Sequence, residues 1–210
     1  MEKRETRNLK LIGGRTCLDF ANTVSTRVEV LRREYLTSYD QLVAWGQHAN
    51  LLTEGEANAL LQTAADHPAS AAAALDRAIA LREAIYRIFS AIAHGREASG
   101  GDVAAMNRAL RKGLSRQEVV ASAGGFQWAW ISDGDGLDRI LWPVVRSAAD
   151  LLTSEDLGRV RECAREGCDW LFVDMSKNQS RRWCSMAACG SRAKAHSYYQ
   201  RKKGLRSDTH

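Results

Sequence analysis

The sequence predicts an α+β chain that is mainly helical: a helical amino-terminal domain with a small β-hairpin over residues 1–153, then a small cysteine-rich module over 154–210 ending in a basic helix. Three observations lead there. Apolar residues recur at helical spacing through most of the first 150 positions, large residues alternate in strand fashion only near Phe126, and four of the five cysteines fall within the 27 residues from Cys163 to Cys189.

The elements follow in order. A short extended segment at Leu9 to Ile12 meets Gly13 and Gly14, and CLDFANTV reads as the first turns of a helix. Leu42, Val43, Trp45 and Ala49 give residues 39–51 a helical face, with Ser38 placed to cap its start. Thr53 and Glu56 have capping-box spacing and open a second helix to about Ala65. The clearest helix runs from Pro68, a favoured first-turn residue, to His94, with Gly95 beyond its end. Leu75, Ile79, Ile85, Phe89 and Ile92 form its expected buried stripe, and Arg77, Glu83 and Arg87 its wet side. Another helix covers Asp102 to Lys112. FQWAWI then alternates, DGDG supplies turn chemistry and LDRILW resumes an apolar run, so a hairpin is expected over Phe126 to Trp142 with its tryptophans in the core. Pro143 starts a helix through Leu152, and Thr153 to Asp156 reads as the hinge to the tail. No segment of about 20 to 50 residues repeats, which argues against a solenoid.

With 45% hydrophobic residues the chain can bury a real core. Its first residues, MEKRETRNLKLIGG, lack the apolar block of a secretion signal, and the apolar stretch from Ala69 to Ala93 is broken by Asp76, Arg77, Arg82, Glu83 and Arg87. A cytoplasmic protein without a membrane span is expected. The net charge of +5 is uneven: from Arg161 to His210 there are 11 Lys/Arg against 5 Asp/Glu, and from Lys177 to Arg206 nine cations stand with no carboxylate among them.

Cys163, Cys168, Cys184 and Cys189 form two pairs, each with four intervening residues, separated by a fifteen-residue loop. In a reducing compartment this pattern points to metal more than to disulfides, and four thiolates converge naturally on one tetrahedral, structural Zn2+. An iron site, a disulfide pair and four unligated thiols are the alternatives. His196 lies seven residues beyond Cys189, too far along a helix to join the shell. Four thiolates close the shell and leave no position for a catalytic water. The module is too small to fold on apolar content alone, with Trp170 to Val173 as its one strand-like run, so the metal is expected to supply much of its stability.

A metal-held scaffold would present the cations as a unit. Lys177, Arg181 and Arg182 come from the loop, and Arg192, Lys194, Tyr199, Arg201, Lys202 and Lys203 from the terminal helix, with Arg192, Tyr199 and Lys203 near one face. Arginine and lysine suit phosphate oxygens, and tyrosine adds stacking or hydrogen bonds. A merely solvated charged face is the bland alternative.

The stretch LFVDMSKNQSRRWCSMAACGSRAKAHSYYQRKK resembles the CGNR-type zinc finger, a bacterial treble-clef-like finger that follows an amino-terminal domain called ABATE in proteins regarded as stress-related transcription regulators. The likeness rests on Phe172, Asp174, Ser176, Arg181 to Met186, Cys189, Gly190, Arg192 and Lys194, and GGRTCLDFANTV at Gly13 to Val24 is similar to the family's start. Ser191 replaces the family's asparagine, and a serine there still suits a helix cap.

The resemblance implies a DNA-binding regulator whose first domain senses a signal. Arg15, Asp19 and Asn22 are the candidates for contact with a small-molecule effector, the alternative being that Asp19 and Asn22 satisfy local backbone near the double glycine. Cys17 reads as a small core residue. RNA binding through Tyr198 or Tyr199 and a protein-interaction role for the basic face are the other function classes. An enzyme comes last, since no phosphate loop or nucleophile–base pair is present, and a homodimer is expected only by analogy with regulators that read repeated half-sites.

Overall fold

Ser38 and Thr53 start helices as their side chains require. In the computed structural model, Ser38 accepts a hydrogen bond from the Gln41 N–H. Thr53 accepts from the Glu56 N–H while the Glu56 carboxylate accepts from the Thr53 N–H at 2.8 Å, the full reciprocal capping box. The structure describes the backbone of residues 6–27, 29–131 and 136–207, and the side chains of these except residues 7, 29, 197 and 201–207. The helices are α1 (Thr16–Ala21), α2 (Tyr39–His48), α3 (Glu54–Asp66), α4 (Pro68–Ala93), α5 (Gly100–Leu114), α6 (Leu141–Leu152) and α7 (Ser191–Ser207). Two antiparallel pairs accompany them, β1 (Gln117–Ser122) with β2 (Gly125–Trp130) and β3 (Val160–Glu162) with β4 (Leu171–Val173), so the chain is α+β and mainly helical. No helix among the described residues is long and apolar enough to cross a membrane.

The large core packs α1, α2, α4 and α6 around Phe20 and Trp45, whose rings lie 5.0 Å apart, with Leu18, Leu42, Ile85, Phe89, Ile140 and Val144. Cys17 is buried there, and burial pushes its thiol up to about 12, so it is inert packing. Along α4 the covered apolar positions are Ala71, Ala74, Ala78, Leu81, Ala84, Ile85, Ile88 and Phe89, while Leu75, Ile79 and Ile92 are half-buried. Ile85 and Phe89 of the expected stripe are therefore buried, but four alanines share the covered face with them in place of Leu75, Ile79 and Ile92.

Arg82 also lies on that covered face. It is fully buried, bidentate to Glu34 at 2.6 and 2.7 Å and paired with Glu83 at 2.8 Å. Glu83, expected on the wet side, instead bridges Arg82 to Arg27, which stacks 3.4 Å from the Tyr86 ring centroid. Burial alone would raise the Glu34 and Glu83 carboxyls, but the bonds and charge of these guanidiniums hold both below their ordinary values.

The hairpin differs from the expected one. FQWAW is its second strand: Val119 pairs with Trp128 and Ala121 with Phe126 across an Ala123–Gly124 turn. LDRILW is no strand: Leu137 to Ile140 form a turn and Leu141 and Trp142 open α6, with Leu137, Ile140, Leu141, Val144, Val145, Ala148 and Leu151 at helical spacing and buried. The proposed DGDG turn falls largely outside the described residues. Trp142 is buried and Trp130 leans on it at 6.0 Å, but Trp128 is 62% exposed and not core.

Strand β4 serves two cores. Its pleat sends Leu171 and Val173 into the helical core with Val160, and Phe172 into a second cluster with the four tail cysteines. The outer edge of β4 is closed by the first domain: the Val173 N–H donates to the Gly13 carbonyl at 2.9 Å, and the Asn22 amide exchanges two 2.9 Å bonds with the Leu171 backbone.

Candidate metal centre and basic face

Strand β3 ends by delivering Cys163. The AREG segment turns back through a Cys168 N–H bond to the Arg165 carbonyl at 3.0 Å, and the Cys163 N–H reaches the Trp170 carbonyl at 2.9 Å, so both sulfurs hang from one hairpin end. The second pair is set by Ser185. Its hydroxyl accepts from the Ala188 N–H and its carbonyl from the Cys189 and Gly190 N–H groups, winding Met186–Gly190 into a π-helical turn that feeds α7. Gly190 is needed for closeness, since a Cβ there would meet the Met186 sulfur at 2.5 Å and the Trp183 ring at 3.3 Å.

The four sulfurs lie within 4.8 Å of one another, all buried. Cys168 to Cys184 is 3.8 Å, Cys184 to Cys189 3.5 Å and Cys189 to Cys168 3.7 Å. A tetrahedral zinc with sulfur at about 2.3 Å has ligand–ligand edges of about 3.8 Å, so the donors already occupy the right corners. None of the four is joined in a disulfide. Phe172, Trp170, Trp183 and Ile12 wall the cluster. The Cys184 N–H donates to the Cys163 sulfur at 3.4 Å and the Arg165 Nε–H to the Cys189 sulfur at 3.2 Å.

These contacts explain how the sulfurs ionise. The Cys163 thiol is held well below its usual value because its thiolate accepts bonds from Cys168 and Cys184. Cys168 and Cys184 are pushed up, since each would have to give up its bond to Cys163 and place a second charge beside it. One thiolate forms readily; Cys168 and Cys184 need a cation to join it, and four soft ligands with a closed shell fit zinc.

The basic residues divide. Lys177, Arg182, Arg192 and Lys194 are exposed, Arg182 lying 5.5 Å over the Trp183 ring. Tyr199 is exposed and meets Tyr198 edge-on at 5.9 Å. Arg201, Lys202 and Lys203 lie on α7, with side chains outside the described set. Arg181 turns inward: it stacks 4.1 Å from the Phe172 centroid and donates to the carbonyls of Cys184 at 2.6 Å, Trp183 at 3.2 Å and Ile12 at 3.2 Å. Ser191 opens α7, its hydroxyl donating to the Met186 carbonyl. His196 is exposed, away from the sulfurs.

The amino-terminal motif is engaged inside the fold. Asp19 accepts from the Gly13 N–H at 2.8 Å, and burial raises its carboxyl to about 6. Asn22 clamps Leu171, and Arg15 donates to the Gly14 carbonyl and pairs with Asp156 at 2.5 Å.

Asp169 escaped the sequence reading, and Trp170 and Asp174 entered it without a partner for either. Asp169, next to Cys168, takes the Arg27 backbone N–H and lies 3.6 Å from its guanidinium. The Trp170 indole donates to the Val24 carbonyl at 2.8 Å. Asp174 shapes the loop by accepting from both Ser176 groups and the Arg181 N–H. For the two aspartates the signal was a short carboxylate able to accept from nearby backbone, Asp169 beside Cys168 and Asp174 two residues before Ser176.

Residues 14–155 match the ABATE family, described as "Putative stress-induced transcription regulator", and residues 159–202 match the CGNR zinc finger. No curated protein matches the chain. The four-cysteine centre is therefore that of a CGNR zinc finger and fits a structural zinc ion.

Proposed function

The chain belongs to the ABATE family, and from that premise we propose that it is a zinc-dependent DNA-binding transcription regulator of the cytoplasm. Residues 154–210 are its reading part and residues 1–153 its sensing part. The observation that carries this reading is the set of exposed cations Lys177, Arg182, Arg192 and Lys194 on a scaffold fixed by four cysteines. Zinc, once bound, supplies charge and a closed tetrahedral anchor, not catalysis. The protein's own residues do the rest. Cys189 pins the entry of α7, so Arg192 and Lys194 face outward in its first turn, while Arg182 and Lys177 reach phosphates from the preceding loop. Arg181 braces the loop and is left out of the contact set.

Fluorescence anisotropy with duplex DNA across a salt series tests this. About five neutralised phosphates predict a logarithmic salt slope near −4.5. Arg192→Ala with Lys194→Ala should weaken binding, and Cys184→Ser, which breaks the zinc site, should abolish it. Absence of binding, or binding indifferent to salt, refutes the reading. The exposed Tyr198 and Tyr199 rings favour unpaired bases as a second reading, and competition by single-stranded RNA over duplex DNA would select it.

A further inference from the structure

A groove of about 780 Å³ separates the finger from the amino-terminal segment, one wall carrying Lys10 and Arg33 of the helical domain and the other Arg192 and Arg165 of the finger. No carboxylate lines it among the described residues. Lys10, Arg33 and Arg192 are exposed, and among the described residues none of the three has an ion-pair partner. Elsewhere on the helical domain, by contrast, Arg77, Arg82 and Arg87 are each matched to a carboxylate. The two walls are also fixed to each other: the Ile12 carbonyl accepts from Arg181, the Gly13 carbonyl from the Val173 N–H and the Val24 carbonyl from Trp170. Lys10 lies two residues from the first of these anchors, and the Arg33 N–H is held by the Ser25 hydroxyl, one residue after the last.

We propose that this groove is a second DNA-backbone contact, so that the helical domain binds phosphate directly through Lys10 and Arg33. The argument is continuity of charge. Arg192 stands both at the start of α7 and on the groove wall, so a phosphate strand leaving the finger at Arg192 passes onto unpaired cations with no acidic barrier between. Rigidity adds to this, because the backbone anchors hold the two walls together, so only the side chains need ordering on a phosphate strand. The inference rests on the DNA-binding reading above and adds the first domain to the contact surface.

The test uses the full zinc-loaded chain and a mixed-sequence duplex. Lys10→Ala/Arg33→Ala should flatten the logarithmic salt slope by about 1.8, two phosphates at about 0.9 each, and weaken binding without lowering the melting temperature. Lys10→Arg/Arg33→Lys should restore it. Arg96→Ala/Arg111→Ala removes the same charge from exposed positions outside the groove and should leave the slope within error of wild type. If the groove variant keeps the wild-type slope while Arg192→Ala/Lys194→Ala loses affinity, the groove contact is overturned and the finger reading stands. Equal losses from the groove and control pairs also overturn it, in favour of a diffuse field. If the unmodified chain binds no duplex at all, both readings fall together.

Discussion

Replacing Asn22 with alanine should destabilise the whole protein and loosen its metal site from a distance. Asn22 is 2% exposed and Leu171 fully buried, and the amide both donates to the Leu171 carbonyl and accepts from its N–H, each at 2.9 Å. Leu171 directs neither group at β3, so alanine leaves one buried donor and one buried acceptor with no protein partner. At about 1–3 kcal/mol for each stranded group the expected loss is about 2–6 kcal/mol. Domains of this size have about 5–15 kcal/mol in all, so the variant should unfold at visibly lower denaturant. Urea titration followed by tryptophan fluorescence reads the loss, and a colorimetric chelator reads the second effect, since Leu171 lies three residues after Cys168. Asn22→Asp, which keeps the acceptor but sets a carboxylate against the Leu171 carbonyl, should be at least as damaging. A loss below about 0.5 kcal/mol with unchanged zinc release would refute the clamp.

Arg82→Met should cost about 3 kcal/mol, the low end for breaking a buried ion pair, because Glu83 keeps Arg27 and Glu34 keeps Arg32 at 3.6 Å. The same variant tests a pH effect. The depressed Glu34 and Glu83 carboxyls contribute stability that is complete above the unfolded value of about 4.3 and drains away as pH falls through the folded value. Melting temperatures between neutral pH and pH 3 should therefore drop less steeply in Arg82→Met than in wild type, and parallel curves would count against the pairing. Gly13→Ala should destabilise by about 1–3 kcal/mol, because the new Cβ would sit 2.8 Å from the Leu18 Cβ and 2.9 Å from the Asp19 N–H nitrogen; thermal melting checks it.

Much of this fold is written locally. Capping by Ser38 and Thr53, the proline at the head of α4 and the paired cysteines each act within a few residues, and each was legible for that reason. Glu83 was misread as wet because helical period alone cannot say that Arg27 would come to meet it from 56 residues away. The hairpin was displaced because a period-two run beside an apolar run fits either strand order, and only the tertiary fold settles that Gln117–Ser122 supplies the other strand while LDRILW leads into α6. Arg181 shows the same limit at the site. Charge and loop position made it resemble its neighbour Arg182, yet three carbonyls and the Phe172 ring draw it inward, and none of those partners leaves a mark on a composition count.

A strand whose alternate side chains belong to different interiors ties the fate of each to the other. Cut the chain before β3 and the helical half is left with a raw apolar seam where Val160, Leu171 and Val173 had been, while the severed finger carries the matching wound. The finger is therefore no bead on a string, since its strand completes the helical interior. A cell short of zinc would be expected to lose the helical part along with the finger.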